Sequence, residues 1–301
     1  MADAHGHSTG KASLEKRFMR ALVLNGGLAV VETIGSIITG SSALLADALM
    51  NLDDAGALIL SIYSERKTKQ GPDARRTFGY ARMDAFAGFV KGCLLLVTAF
   101  IAFVQAIRLL LEPQEIAGEL VILFGSIALI VNLVSALWLK EDACCSLNAK
   151  GTYACMIYDA VGSAAVVASG ILSLFITTIY VDVAVAFLIT FFMVKTGWGI
   201  FIEGMGYFLQ SAPEGFNYDD FEKEVKAVKG VSSVGDIHVW SQNTKEHHLT
   251  CKVTITIDEV CDCERIISMI EEICRKQFHI QHVTIQPVYS SETLNRFCKT
   301  R

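Results

Sequence analysis

Residues 46–60 read ADALMNLDDAGALIL, with Asp47, Asp53 and Asp54 set in a run otherwise apolar enough to cross a lipid bilayer. A carboxylate at mid-membrane costs on the order of 2.5–3.5 kcal/mol even on the lenient insertion scale, unless something compensates it. What compensates these three decides what kind of molecule this is.

The surrounding chain supports the membrane reading. Of its 301 residues, 52% are hydrophobic and four are proline, and mean hydropathy is positive, which is unusual for a soluble domain. A net charge of −5 gives no basic field for nucleic acid, and the nine cysteines are too scattered for a secreted disulfide framework. The start, MADAHGHSTGKASLEKR, is polar for too long to be a signal peptide.

Apolar runs of bilayer-crossing length fall at 19–39, 42–63, 83–111, 117–139, 152–176 and 180–208. They are expected to be helices, because backbone exposed to lipid must satisfy its own hydrogen bonds. Arg66, Lys67, Lys69, Arg75, Arg76 and Arg82 crowd the loop after the second run, whereas TGSS, EPQEIAGE and TTIY carry no Lys or Arg. Positive charge marks the cytoplasmic side, so both termini are expected inside. From Ala212 onward the pattern becomes α-β-β-α-β, a small two-layer α+β domain. The expected layout is a cytosolic segment 1–17, a six-helix membrane domain 18–211, a cytosolic domain 212–290 and a tail 291–301.

On a helix, residues at i, i+3, i+4 and i+7 share a face. Asp47, Met50, Asn51 and Asp54 therefore lie together, with Asp53 off the stripe, and Cys155 and Asp159 pair in the fifth run. Met50, Asp54, Cys155 and Asp159 form a candidate four-coordinate metal site, and a divalent cation there, or protons in its place, would offset the buried acids. Asp47 is assigned a pathway or supporting role, and Asn51 is an oxygen ligand that can replace Met50. Glu32 is expected to hydrogen-bond within the bundle, Asp182 to cap a helix, and Lys91 to snorkel toward the cytosolic end of its helix. In the cytosolic domain Cys261, Cys263 and His238 are the candidate donors of a second metal site.

These motifs together resemble the cation diffusion facilitator family, the zinc transporter family of metal/proton exchangers. GSSALLADALMNLDDAGALIL (40–60) is similar to its GS-ALLADALH-x-x-x-D pattern, and RRTFGYARMDAFAG (75–88) to its H-T-F-G-Y-G-R-x-E stretch. YACMIYDAVGSAAVV (153–167) resembles its second H-x-x-x-D-x-x-G-S pattern, and SSVGDIHVWS (232–241) the first strand of its cytosolic domain. The resemblance implies six spans, a ferredoxin-like αββαβ tail and a homodimer. It also implies proton-coupled metal efflux, with Asp54 and Asp159 as ligands. Met50 and Cys155 stand where histidines are usual; thioether and thiol are softer donors than imidazole. Zinc remains first among cargoes, with Cd, Fe, Mn, Co or Cu as alternatives. A second alternative is a non-transporting subunit that pairs with an active relative, so a heterodimer stays open. With Arg76 and Tyr80 in the loop, no loop metal site of the bacterial type is expected. No nucleophile–base pair, nucleotide loop or cofactor motif appears, so an enzyme is not expected; the partners are the metal, protons and membrane lipid.

Overall fold

The computed structural model describes residues 6–68, 70–143, 147–175, 179–244, 246–256 and 260–289. The chain divides into two compact units, residues 1–69 with 86–202, and residues 70–85 with 203–301.

The first unit is built from long helices: α1 (Gly6–Thr39), α2 (Ser42–Thr68), α3 (Met83–Leu111), α4 (Gly118–Ala143), α5 (Leu147–Ser173) and α6 (Ile179–Phe208). Five of them contain stretches long and apolar enough to cross a membrane: Leu22–Thr39 in α1, all of α3, Gly118–Trp138 in α4, Tyr153–Ser173 in α5 and all of α6. Helix α2 has comparable length, 27 residues, but its three acids hold it outside that class. The first helix starts well before the expected apolar run. Residues 11–20, KASLEKRFMR, hold no Pro or Gly and are rich in helix formers, so nothing stops the helix from extending into the polar segment.

Helix α1 ends where Gly40 takes φ +72°, a backbone region open to glycine, and donates its N–H to Ser36 O at 2.9 Å. Only Gly40 and Ser41 separate α1 from α2, which makes a tight hairpin. The apolar core joins Ala43, Leu44 and Ala46 of α2, Ala99, Ala102 and Ala106 of α3, Val121 of α4, Val166 of α5, and Val183, Ala186, Ile189 and Met193 of α6. Small side chains at such contacts let helices approach closely. A Cβ on Gly92 of α3 would lie 2.7 Å from the backbone N of Phe201 in α6, and one on Gly170 of α5 would lie 2.9 Å from Ile122 of α4. Outward-facing Ile37, Phe100, Phe175 and Phe191 are more than 60% exposed, a surface suited to hydrocarbon rather than water.

The second unit contains α7 (Tyr218–Lys226), β1 (Val231–Ser241), β2 (His247–Ile255), α8 (Val260–Lys276) and β3 (His282–Tyr289). This is the α-β-β-α-β order expected from the sequence. Asn217 caps α7 by accepting from the N–H groups of Asp219 and Asp220. The sheet order is β1-β2-β3, with β1–β2 antiparallel and β2–β3 parallel. Alternate residues Leu249, Cys251, Val253 and Ile255 of β2 pack with Phe221 and Val225 of α7 and with Ile266, Ile270 and Cys274 of α8. Period-two burial on β2 thus places the helices on one face. Pro287, which has no N–H to donate, lies on the edge strand β3.

Candidate metal site

Two acids on different helices meet at the centre of the site. Asp54 lies two turns above Asp47 on α2, and Asp159 lies mid-way along α5. Asp159 is 0% exposed, and among the described residues neither of its carboxylate oxygens has a hydrogen-bond partner. It faces Asp54 closely enough that a proton between the two would make a hydrogen bond. Cys155, one turn before Asp159, is half-buried and lies within the fields of Asp54 and Asp159. Three of the four residues picked out by spacing therefore lie within electrostatic range of one another. Met50, the fourth, is half-buried and packs against the apolar core, the gap-filling use common for methionine.

At this site one residue departs from the sequence expectation. Lys91 of α3 turns into the bundle instead of snorkelling: its Nζ stands 3.4 Å from Asp54 Oδ1, and the two side chains are only 26% and 13% exposed. It also lies within the fields of Cys155 and Asp159. Two carboxylates and no internal counter-charge made an excess of negative charge that an eight-residue-deep lysine relieves. With the ammonium there, no three His, Cys, Asp or Glu side chains among the described residues come together closely enough to hold a metal ion. Asp53, off the α2 stripe as expected, accepts from Thr98 Oγ1 of α3.

Deeper in the bundle runs a second polar group. Asn51 Nδ2 donates to Glu32 Oε2 at 2.7 Å, Ser163 Oγ to Asp47 Oδ2 at 2.7 Å, and Asn132 Nδ2 to Ser163 Oγ at 3.3 Å. All five residues are 0% exposed. Glu32 thus bonds within the bundle as expected. Asn51 is committed to Glu32, which makes it a poor substitute for Met50 as a ligand. Four acceptors here, Glu32 Oε1, Asp47 Oδ1, Asn51 Oδ1 and Asn132 Oδ1, have no hydrogen-bond partner among the described residues. Asp47 also lies within the field of Asp159, so the two polar groups are electrostatically joined. Helical spacing had placed Asp47 on the right face; the contribution of α4 carries no periodic signal.

Asp182 caps a helix, but not its own. It accepts from Ser41 Oγ, Ser42 N at 2.7 Å, Ser42 Oγ at 2.8 Å and Ala43 N at 3.1 Å, all at the start of α2. An anion there answers both the unpaired N–H groups and the positive end of the helix dipole.

In the second unit the proposed sulfur–imidazole site does not assemble from the described side chains. Cys263 is buried in the core with Ile266 and Phe221. His238, next to inward-facing Val239, points the opposite way, is 69% exposed, and binds Asp236 Oδ1 at 3.0 Å. Successive strand residues face opposite sides of a sheet, which parts the two. The Cys261 side chain lies outside the described residues. Asp236 takes φ +53° at a bulge in β1 and also pairs with Lys252 at 2.7 Å; the hydrogen bond from Lys252, with that to His238, holds its carboxyl below the usual range. On the sheet face away from the helices, His248 stacks on Trp240 at 5.3 Å and on His282 at 4.6 Å, with Phe78 edge-on at 5.2 Å. In the loop before α3, the Arg76 guanidinium lies 4.8 Å over the Tyr80 ring and 3.7 Å from Asp73.

Comparison with known proteins agrees with this layout. Residues 18–209 match the cation efflux transmembrane domain family, and residues 213–287 match the cytoplasmic domain of cation efflux proteins. The zinc transporter ZitB of Pectobacterium atrosepticum is 30% identical over 292 residues, covering 95% of this chain and 89% of that one. The metal cation efflux system protein CzcD of Cupriavidus metallidurans is 30% identical over 284 residues, with coverages of 94% and 88%. A cadmium, cobalt and zinc/H(+)-K(+) antiporter of Bacillus subtilis is 26% identical over 290 residues, with coverages of 93% and 91%.

Proposed function

The chain belongs to the cation efflux, or cation diffusion facilitator, family of membrane transporters, and from that premise we propose that it exports a divalent transition metal, zinc first, in exchange for protons. The observation that carries this reading is Asp159, fully buried with both oxygens unpartnered among the described residues and turned toward Asp54 on another helix. Asp54, Asp159 and Cys155 are the ligands, and Met50 completes the set by a small turn of α2. Ligands bind metal when deprotonated and release it when protonated, so exchange for protons follows from linkage. Met50 holds no exchangeable proton and takes no part in that traffic.

In this reading α2 crosses the membrane beside the five more apolar helices, sheltered by its neighbours, which gives six spans. The run of Lys and Arg between α2 and α3 supports cytosolic termini. The αββαβ unit is the ferredoxin-like cytosolic domain through which two copies pair. Relatives named for zinc, cadmium and cobalt support a borderline-soft cargo, as do the sulfur atoms of Met50 and Cys155. The two carboxylates oppose a site for Cu(I) alone.

The test is reconstitution. Vesicles holding the parent protein accumulate Zn²⁺ and release protons in step, and Asp159→Asn abolishes both. Undiminished exchange by Asp159→Asn removes Asp159 from the site. One observation favours a second reading: the Lys91–Asp54 ion pair is what a silent partner subunit would use in place of cargo. Absence of flux through the purified homodimer, with flux restored beside an active relative, selects that reading.

A further inference from the structure

Lys91 lies eight residues into α3, about 12 Å along its axis from Met83. Its ammonium stands 3.4 Å from Asp54 Oδ1 and within the fields of Asp53, Cys155 and Asp159. A positive charge of the protein's own thus sits among the residues proposed to hold the cargo. These donors do not converge to metal-binding separations among the described residues.

We infer that Lys91 is a tethered counter-cation: it holds Asp54 while the carrier has no cargo and is displaced from that carboxylate when a divalent metal binds. The inference rests on the metal-site reading of Asp54 and Asp159. Its physical basis is twofold. First, an ammonium and a divalent cation on the same carboxylate repel each other strongly in a poorly screened interior, so they exclude one another. Second, the lysine charge rides on a four-carbon stem that can withdraw along apolar surface while keeping its head near solvent. The side chain is already 26% exposed, so it is not sealed inside the bundle. The snorkelled position expected from the sequence is then the cargo-bound position of the same side chain.

The arrangement has two consequences for a carrier. Metal affinity is lowered by the competition, which favours release on the far side. The carrier without cargo also makes its return with Asp54 compensated by an internal charge, so it does not carry two bare carboxylates through a low-dielectric bundle. Lysine is suited to this work because its ammonium is compact, keeps its charge and is held by one flexible chain.

The experiment measures Cd²⁺ binding by calorimetry to the full-length protein in detergent at fixed pH, for the parent and for Lys91→Met, Lys91→Arg and Asp159→Asn. The expected result is at least tenfold tighter binding by Lys91→Met, binding by Lys91→Arg within about threefold of the parent, and none by Asp159→Asn. In parallel, acylation of Lys91 in the parent by an amine reagent, read by peptide mass spectrometry, rises at least threefold with saturating Cd²⁺. Binding by Lys91→Met alone, with none by the parent, is the same competition at its limit and supports the inference. If Lys91→Met binds no tighter than the parent while Asp159→Asn has lost binding, the counter-cation role is overturned and the metal site stands. If the parent binds and Asp159→Asn binds equally well, or if neither the parent nor any variant binds, the metal-site reading beneath it fails. Should Lys91→Met not fold, the labelling decides: acylation that Cd²⁺ leaves unchanged or lowers overturns the inference.

Discussion

Asp182 shows how much one side chain can do in this bundle. Its carboxylate takes hydrogen bonds from two backbone N–H groups and two hydroxyls at the start of α2, and it is only 2% exposed. No water reaches those donors to replace it, so each lost bond leaves a buried group unsatisfied. Asp182→Ala is therefore expected to destabilise the helical unit by on the order of 3 kcal/mol, read from unfolding in mixed detergent. A loss under about 0.5 kcal/mol would show that the cap is dispensable. The residue scale is also where the sequence was least informative. That Asp182 is a cap was legible from its place at a helix start; that it caps α2 was not, because spacing along one helix says nothing about which neighbour stands opposite. Lys91 went astray for the same reason. Its depth in α3 was readable, but the attraction of Asp54 on another helix decided its direction.

At the scale of elements the sequence was far more legible. Each apolar run became a helix, because lipid leaves the backbone no other partner, and β2 was legible from its strict alternation. What alternation left open was the use of its other face. His248 is 4% exposed there, stacked between Trp240 and His282 with Phe78 at its edge. Burial, with His282, Arg82 and His247 nearby, holds its pKa below the ordinary 6.5. The folded domain thus binds this proton less readily than the unfolded chain does. Its stability is complete above pH 6.5 and falls as pH drops below it, by at most about 1.4 kcal/mol per pH unit from this group. Phenylalanine keeps the stack and removes the charge. His248→Phe should flatten the acid limb between pH 6.5 and 5.5, followed by Trp240 fluorescence in urea with Trp138 and Trp198 replaced by phenylalanine. An acid limb as steep as the parent's would assign the pH sensitivity to other groups.

For the molecule as a whole, the question is which ion a carrier with this donor set prefers. Two carboxylates alone would suit Mg²⁺ or Mn²⁺, hard ions that favour oxygen. If the proposed site holds, a thiol one turn from Asp159 and a thioether one turn from Asp54 would shift the preference toward Zn²⁺ and Cd²⁺. Met50 is the weaker contributor, since its side chain packs with the apolar core, whereas Cys155 stands within the fields of both acids. The two substitutions therefore separate. Cys155→His should carry Zn²⁺ at least as fast as the parent and lose most of the Cd²⁺ preference, because imidazole is the harder donor. Met50→His should change the Zn²⁺-to-Cd²⁺ ratio by about tenfold or more as α2 turns it into the site; a change under about threefold would show that Met50 stays with the core. Metal-by-metal uptake into vesicles, with Mn²⁺ beside Zn²⁺ and Cd²⁺, measures all of this at once. Mn²⁺ carried by the parent as fast as Cd²⁺ would mean that neither sulfur touches the cargo, leaving selectivity to the carboxylates and to the ammonium that contends for one of them.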